Sequence, residues 1–212
     1  EIPGLQNYIY IDDDDDPAQT TQLVFILIDK SASMYLYEES EQKSRYDTAK
    51  DLCTKYTNAC FKYHNYSEYG AIFFNEKPDE NNIVNLSPFT SEFQKEIDKK
   101  CGKPGGKTNI FAALKKGAEI LCFARDNIII RKLTLRIIVI SDGNDNESTK
   151  EEIADISNYL LKNKIRIDAV IISDEISKEL VFIAKSSGGI AISSQSLSEG
   201  LDLFSKEEFF ND

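Results

Sequence analysis

The sequence predicts an α/β fold, a doubly wound, six-stranded and mostly parallel sheet with helices on both faces. Three observations predict it. Short apolar runs alternate with stretches of helical spacing along most of the chain, the pattern of strands joined by crossover helices. The strongest runs, Leu23–Ile28 and Leu133–Ile140, are apolar without alternation, as strands buried on both faces must be. The chain has 212 residues, 41% of them hydrophobic and 29% charged, enough to enclose one large core.

Taken in order, Leu23–Ile28 is the first strand. Tyr46, Ala49, Cys53, Tyr56, Cys60 and Tyr63 recur at 3-and-4 spacing, so Ser44–His64 reads as an amphipathic helix. Gly70–Phe74 and Asn82–Leu86 are the next two strands. The turn-like Asn75–Asn81 between them is too short for a crossover helix, so this pair should be antiparallel. Ser91–Lys99 is a short helix with Ser91 as its N-cap, and Thr108–Phe123 is a longer one entered from a Gly-rich loop. Leu133–Ile140 is strand, Thr149–Lys162 helix, Ile165–Ile172 strand, Ser177–Ser186 helix, Gly189–Ile192 strand and Leu197–Phe204 helix. Six strands arranged so suit a Rossmann-like sheet of order 3-2-1-4-5-6 with one antiparallel edge strand.

Residues 1–22 read as an acidic N-terminal tail or linker, because Asp12–Asp16 is a run of five carboxylates closed by Pro17. The domain is expected over 23–206, with 207–212 as a C-terminal tail. A first residue of Glu1 suggests a piece of a longer protein. Lys and Arg number 25 against 36 Asp and Glu, a net charge of −11, which repels phosphate backbones and excludes nucleic acid as a natural partner. The apolar runs fall far short of the ~20 residues that cross a bilayer. Of the four cysteines, Cys53 and Cys60 lie about 10 Å apart along one helix, and Cys101 and Cys122 flank another. Neither pair suits a disulfide, and unpaired thiols slightly favour an intracellular setting.

In a doubly wound sheet of this order the ligand crevice lies at the carboxyl ends of the first and fourth strands, where the strand order reverses. Past Ile28 stands Asp29-Lys30-Ser31-Ala32-Ser33, and past Ile140 stands Ser141-Asp142-Gly143. A further hydroxyl, Thr108, follows the loop Gly102–Gly106. These are hard oxygen donors without His or thiolate, a set that suits Mg²⁺, Mn²⁺ or Ca²⁺ rather than zinc. Two carboxylates brought together without a cation would repel each other.

The residues Asp29, Ser31 and Ser33 resemble the D-x-S-x-S of the von Willebrand factor type A (vWA) domain. Thr108 in Gly-Gly-Lys-Thr-Asn-Ile resembles the family's isolated threonine, and Asp142 in Ile-Ser-Asp-Gly its second aspartate. Together they resemble a complete metal-ion-dependent adhesion site (MIDAS), and the likeness runs from about Leu23 to Phe204. The resemblance implies that the serines bind the metal directly, the aspartates act partly through water, and the threonine joins when a ligand is bound. Two departures stand out: the long stretch Met34–Lys43 after the motif, and Lys107 directly before the threonine.

The expected function is therefore not enzymatic. It is a divalent-metal-dependent protein-binding module whose metal engages an Asp or Glu of a partner protein. Met34, Tyr35, Leu36 and Tyr37, next to the motif, are the expected anchoring patch. One alternative is an extracellular adhesion domain with the same site. Another is a Mg²⁺-dependent phosphotransferase of dehalogenase type, suggested by Asp142-Gly143-Asn144-Asp145. Ser31 stands where that chemistry needs a second aspartate. Gly102–Thr108 approaches a phosphate-binding loop but has three residues, not four, before Gly-Lys-Thr and follows a helix rather than a strand. His64, the one histidine, has no nucleophile partner by motif.

Overall fold

The computed structural model describes residues 21–36, 43–63, 67–127, 133–173 and 177–193. The strands are β1 (Thr21–Asp29), β2 (Glu68–Phe74), β3 (Ile83–Pro88), β4 (Leu133–Ser141), β5 (Ile165–Ile171) and β6 (Ala191–Ser193). The helices are α1 (Arg45–Tyr63), α2 (Ser91–Lys100), α3 (Ile110–Asp126), α4 (Lys150–Lys162) and α5 (Lys178–Ser186). The sheet order is β3-β2-β1-β4-β5-β6. Every pairing is parallel except β2 with β3. This is the order the sequence predicts, and the antiparallel edge falls where the connection is too short for a crossover.

Alternate residues of β1 serve two cores. Leu23, Phe25 and Leu27 pack with Ile137, Val139, Ile167 and Ile171 beneath α3, α4 and α5. Val24, Ile26 and Ile28 pack with Ile138, Ile140 and Val170 beneath α1 and α2, through Ala49, Leu52, Cys53, Tyr56, Phe93 and Ile97. A strand buried on both faces has no polar side to alternate with, which explains its continuous apolar run.

The loops on the α3 side are fixed by caps. Thr149 and Glu152 form a capping box at α4, and Ser177 caps α5. α3 begins at Ile110, with Asn109 accepting the Ala112 N–H, so Thr108 lies in the loop ahead of the helix rather than at its start. The far edge is held by a buried ionic knot. Asp168 accepts Arg136 Nε at 2.6 Å, Arg166 Nε at 3.4 Å and the Ile190 N–H at 2.8 Å. Gly189 passes so close to β5 that a Cβ there would stand 1.9 Å from the Ile167 carbonyl oxygen.

β1 begins at Thr21, two residues inside the segment expected to be tail. The expected helix Leu197–Phe204, the Asp12–Asp16 run and His64 lie outside the described residues. Cys53, Cys101 and Cys122 are free thiols. No helix among the described residues is long and apolar enough to cross a membrane.

Candidate functional site

β1 and β4 are neighbours in register, Ile28 opposite Ile140, so the residues that follow emerge side by side at the carboxyl end of the sheet. Four loops are stitched together there by backbone hydrogen bonds. Lys30 donates to the Phe74 carbonyl (2.7 Å), and Gly105 donates to Lys30 (2.8 Å). Ala32 donates to Gly106 (2.9 Å), and Asn109 to Asn75 (2.9 Å). Asn146 donates to the carbonyl of Thr108 at 3.0 Å, which ties the loop before α3 to the loop after β4. Gly106 has φ +79°, a left-handed conformation that glycine takes without strain. The loops bearing Asp29, Ser31, Ser33, Thr108 and Asp142 thus converge at one place.

Asp29 is fully buried. Its Oδ1 accepts the Ser31 N–H at 2.7 Å and its Oδ2 accepts the Ser141 hydroxyl at 2.6 Å. Burial pushes its carboxyl up from 3.8 to about 6, against the pull of these hydrogen bonds and with a further push from the charge of Asp142. Ser141 Oγ in turn accepts the Gly143 N–H at 3.0 Å. The hydroxyls of Ser31 and Ser33 meet at 3.1 Å. Thr108 is 1% exposed.

Asp142 is also fully buried. Its Oδ1 accepts the Asn144 N–H at 3.2 Å, but its Oδ2 has no hydrogen-bond partner. Arg45 Nη1, from the start of α1, stands 3.8 Å from that oxygen. A buried carboxylate oxygen without a hydrogen bond is costly, and such atoms in a folded protein call for an ion, a water or a function. Among the described residues no three His, Cys, Asp or Glu side chains gather as a metal cluster. A cation here would therefore draw on hydroxyls as well as on the two aspartates, as hard divalent ions do.

The neighbouring residues divide. Met34 is fully buried in the α1-side core, a correction to its expected place in an exposed patch. The reason is local. Ala32–Tyr35 forms a 3₁₀ turn, with Met34 N–H on the Ser31 carbonyl and Leu36 N–H on that of Ser33, both 3.2 Å, and this turns the Met side chain inward. Tyr35 and Leu36 face out, each 56% exposed. Tyr37 lies outside the described residues. The ammonium of Lys107 is turned away into an exposed ion pair with Glu147 Oε1 at 2.5 Å.

Asp145 is a helix anchor. Its Oδ2 accepts the N–H groups of Ile110 and Phe111 and the Ser148 hydroxyl, and its Oδ1 accepts those of Glu147 and Ser148. Those bonds occupy the carboxylate that a dehalogenase-type reading needs at the reaction centre. Ser141 and Arg45 are site residues that sequence reasoning missed. Ser141 is the last residue of β4, directly before the aspartate, where a hydroxyl facing the neighbouring strand's carboxylate was available as a signal. No local pattern in the sequence points Arg45 at Asp142.

The von Willebrand factor type A domain matches residues 24–144 of the chain. No curated protein matches it in sequence. Solved structures are similar in fold at low identity. A von Willebrand factor type A protein from Catenulispora acidiphila superposes with a TM-score of 0.64 at 17% identity, over 89% of this chain and 42% of that one. An aerotolerance-related membrane protein from Bacteroides fragilis NCTC 9343 gives 0.64 at 17%, over 88% and 98%. The pilus adhesin SpaC from Lactobacillus rhamnosus GG gives 0.65 at 13%, over 91% and 31%. The chain therefore spans less than half the length of the first and about a third of the third of these proteins.

Proposed function

The chain belongs to the von Willebrand factor type A family, whose members are protein-interaction and adhesion modules, and on that premise we propose that it binds a partner protein through a divalent cation. Ser31 and Ser33 would hold the ion by their hydroxyls, Asp29 and Asp142 would supply its countercharge, and Thr108 would complete the set. Mg²⁺ is the expected ion, with Mn²⁺ or Ca²⁺ as substitutes for the same hard donors. When bound, it offers an electrophilic position to a carboxylate from outside.

The observation that carries this reading is Asp142 Oδ2, buried and without a hydrogen bond at the carboxyl end of the sheet. A packing role would have paired that oxygen. Asp29 supports it in the same way, since its carboxyl is kept above the ordinary range by burial beside a second carboxylate.

The chain's own residues divide the work of recognition. Asp29 is oriented by Ser141 and by the Ser31 N–H, so the D-x-S-x-S loop is fixed before a ligand arrives. Tyr35 and Leu36 project beside it and offer a rigid aromatic surface and an aliphatic one. The partner is then a protein presenting an Asp or Glu, with an apolar surface next to it to meet Tyr35.

The experiment is a thermal melt with EDTA and then with saturating Mg²⁺, Mn²⁺ or Ca²⁺. A ligand at a hundredfold excess over its Kd stabilises the folded state by about 2.7 kcal/mol. Asp142→Ala should remove the response. A melt indifferent to all three ions, in the wild-type chain and in Arg45→Gln alike, would remove the basis for the proposal. Capture of an acidic peptide, compared with its Asn- or Gln-substituted form in the same buffers, tests the carboxylate.

A further inference from the structure

We propose that Arg45 is an intrachain competitor of the divalent cation, a guanidinium that holds the charge of Asp142 while the site is empty and must yield when an ion enters. This rests on the metal-site reading above.

Four observations point to it. Arg45 Nη1 lies 3.8 Å from Asp142 Oδ2, the oxygen that accepts no hydrogen bond. At that distance the charges attract, but the pair is too long for a hydrogen bond. The guanidinium side chain is 20% exposed, which leaves it a route out to solvent. Arg45 is the first residue of α1, where the helix dipole disfavours a cation, so its charge is matched to something other than its own helix. Its backbone N–H donates to the Leu36 carbonyl at 2.9 Å, so the residue is anchored to the loop that follows the serines and cannot drift from the site.

The consequence is an affinity set by the chain itself. A cation arriving at Asp142 meets a positive charge already there, and its apparent Kd is the intrinsic one divided by the fraction of molecules in which Arg45 is undocked. Docking in nine molecules of ten would weaken the ion by about tenfold. Partner binding, if it needs the ion, inherits the same threshold.

The test is calorimetric titration of Mn²⁺ into the wild-type chain, Arg45→Gln, Arg45→Met, Asp142→Asn and the double variant Arg45→Gln/Asp142→Asn, with folding of each checked by circular dichroism. Arg45→Met keeps the apolar stem that Arg lays on its neighbours, so it covers the case in which Arg45→Gln fails to fold. The expected result is Mn²⁺ binding about tenfold tighter in both Arg45 single variants. No gain is expected from Arg45→Gln when Asp142 is already Asn. Unchanged or weaker binding in the Arg45 single variants, with wild-type binding intact, overturns the role of Arg45 and leaves the metal site standing. Binding in neither wild type nor Arg45 single variants overturns both. Binding in the Arg45 single variants alone supports both, with Arg45 acting as a lock.

Discussion

Replacing Asp29 by Asn should stabilise the domain in the presence of EDTA, although it removes a residue of the proposed site. Asp29 is fully buried and its carboxyl is pushed from 3.8 to about 6. A rise of about two units means that ionising this group in the folded protein costs about 3 kcal/mol more than in the unfolded chain. Asparagine has the same shape without the charge. Its carbonyl can go on accepting the Ser31 N–H, and its amide can donate to the Ser141 hydroxyl, which would turn to accept it. Ser141 Oγ already accepts the Gly143 N–H, so that exchange is imperfect and costs about 1–2 kcal/mol. The net gain expected at neutral pH is about 1–2 kcal/mol. The sign of the pH dependence follows from the same shift. Between about pH 4 and about pH 6 the folded state holds a proton that the unfolded state has lost, so this group makes stability fall as pH rises through that window. Asp29→Asn should flatten the fall. Urea denaturation of both proteins in EDTA, from acid to neutral pH, measures both effects. A variant less stable than wild type at neutral pH, or one with the same pH slope, would show that the carboxylate serves the fold rather than a ligand.

Other outcomes follow from neighbouring residues. Met34→Ala should cost about 2–5 kcal/mol of stability as a core truncation. Tyr35→Ala should leave stability within about 0.5 kcal/mol while weakening a partner by about 1–3 kcal/mol, read by melting and by binding in parallel. Asp145→Ala should destabilise the domain by about 2–4 kcal/mol, because it strips the acceptor from the start of α3, and should leave hydrolysis of a generic phosphate ester at the blank rate. Burial pushes the Cys53 thiol up to about 12, so a chromogenic disulfide reagent at mildly alkaline pH should label it only once the chain unfolds.

The strand order was legible because it rests on strong local signals. β1 and β4 are unbroken apolar runs, and Asn75–Asn81 is too short for a crossover, which leaves β2 and β3 no choice but to pair antiparallel. The positions of Asp29 and Asp142 follow from that topology, since both come directly at the ends of the two central strands. What was not legible depends on turns and on contacts distant in sequence. Met34-Tyr35-Leu36-Tyr37 looks like one apolar patch, yet a single 3₁₀ turn buries Met34 and exposes its two neighbours. The direction of the Lys107 ammonium is decided by Glu147, forty residues away in sequence. The approach of Arg45 to Asp142 depends on how α1 packs over the sheet, and no short pattern records that. Asp145 carries the same chemistry as Asp142 three residues earlier. Only the N–H groups of Ile110 and Phe111 show that it is a cap.

We propose that the carboxyl ends of β1 and β4 hold a divalent cation. Crystals of the chain grown with Mn²⁺ and measured near the manganese absorption edge test it most directly. One anomalous peak is expected among Asp29, Ser31, Ser33 and Asp142, within about 2.0–2.4 Å of the serine hydroxyls, with Arg45 swung away from Asp142. No peak at saturating Mn²⁺, in crystals of the wild-type chain and of Arg45→Gln alike, would contradict it.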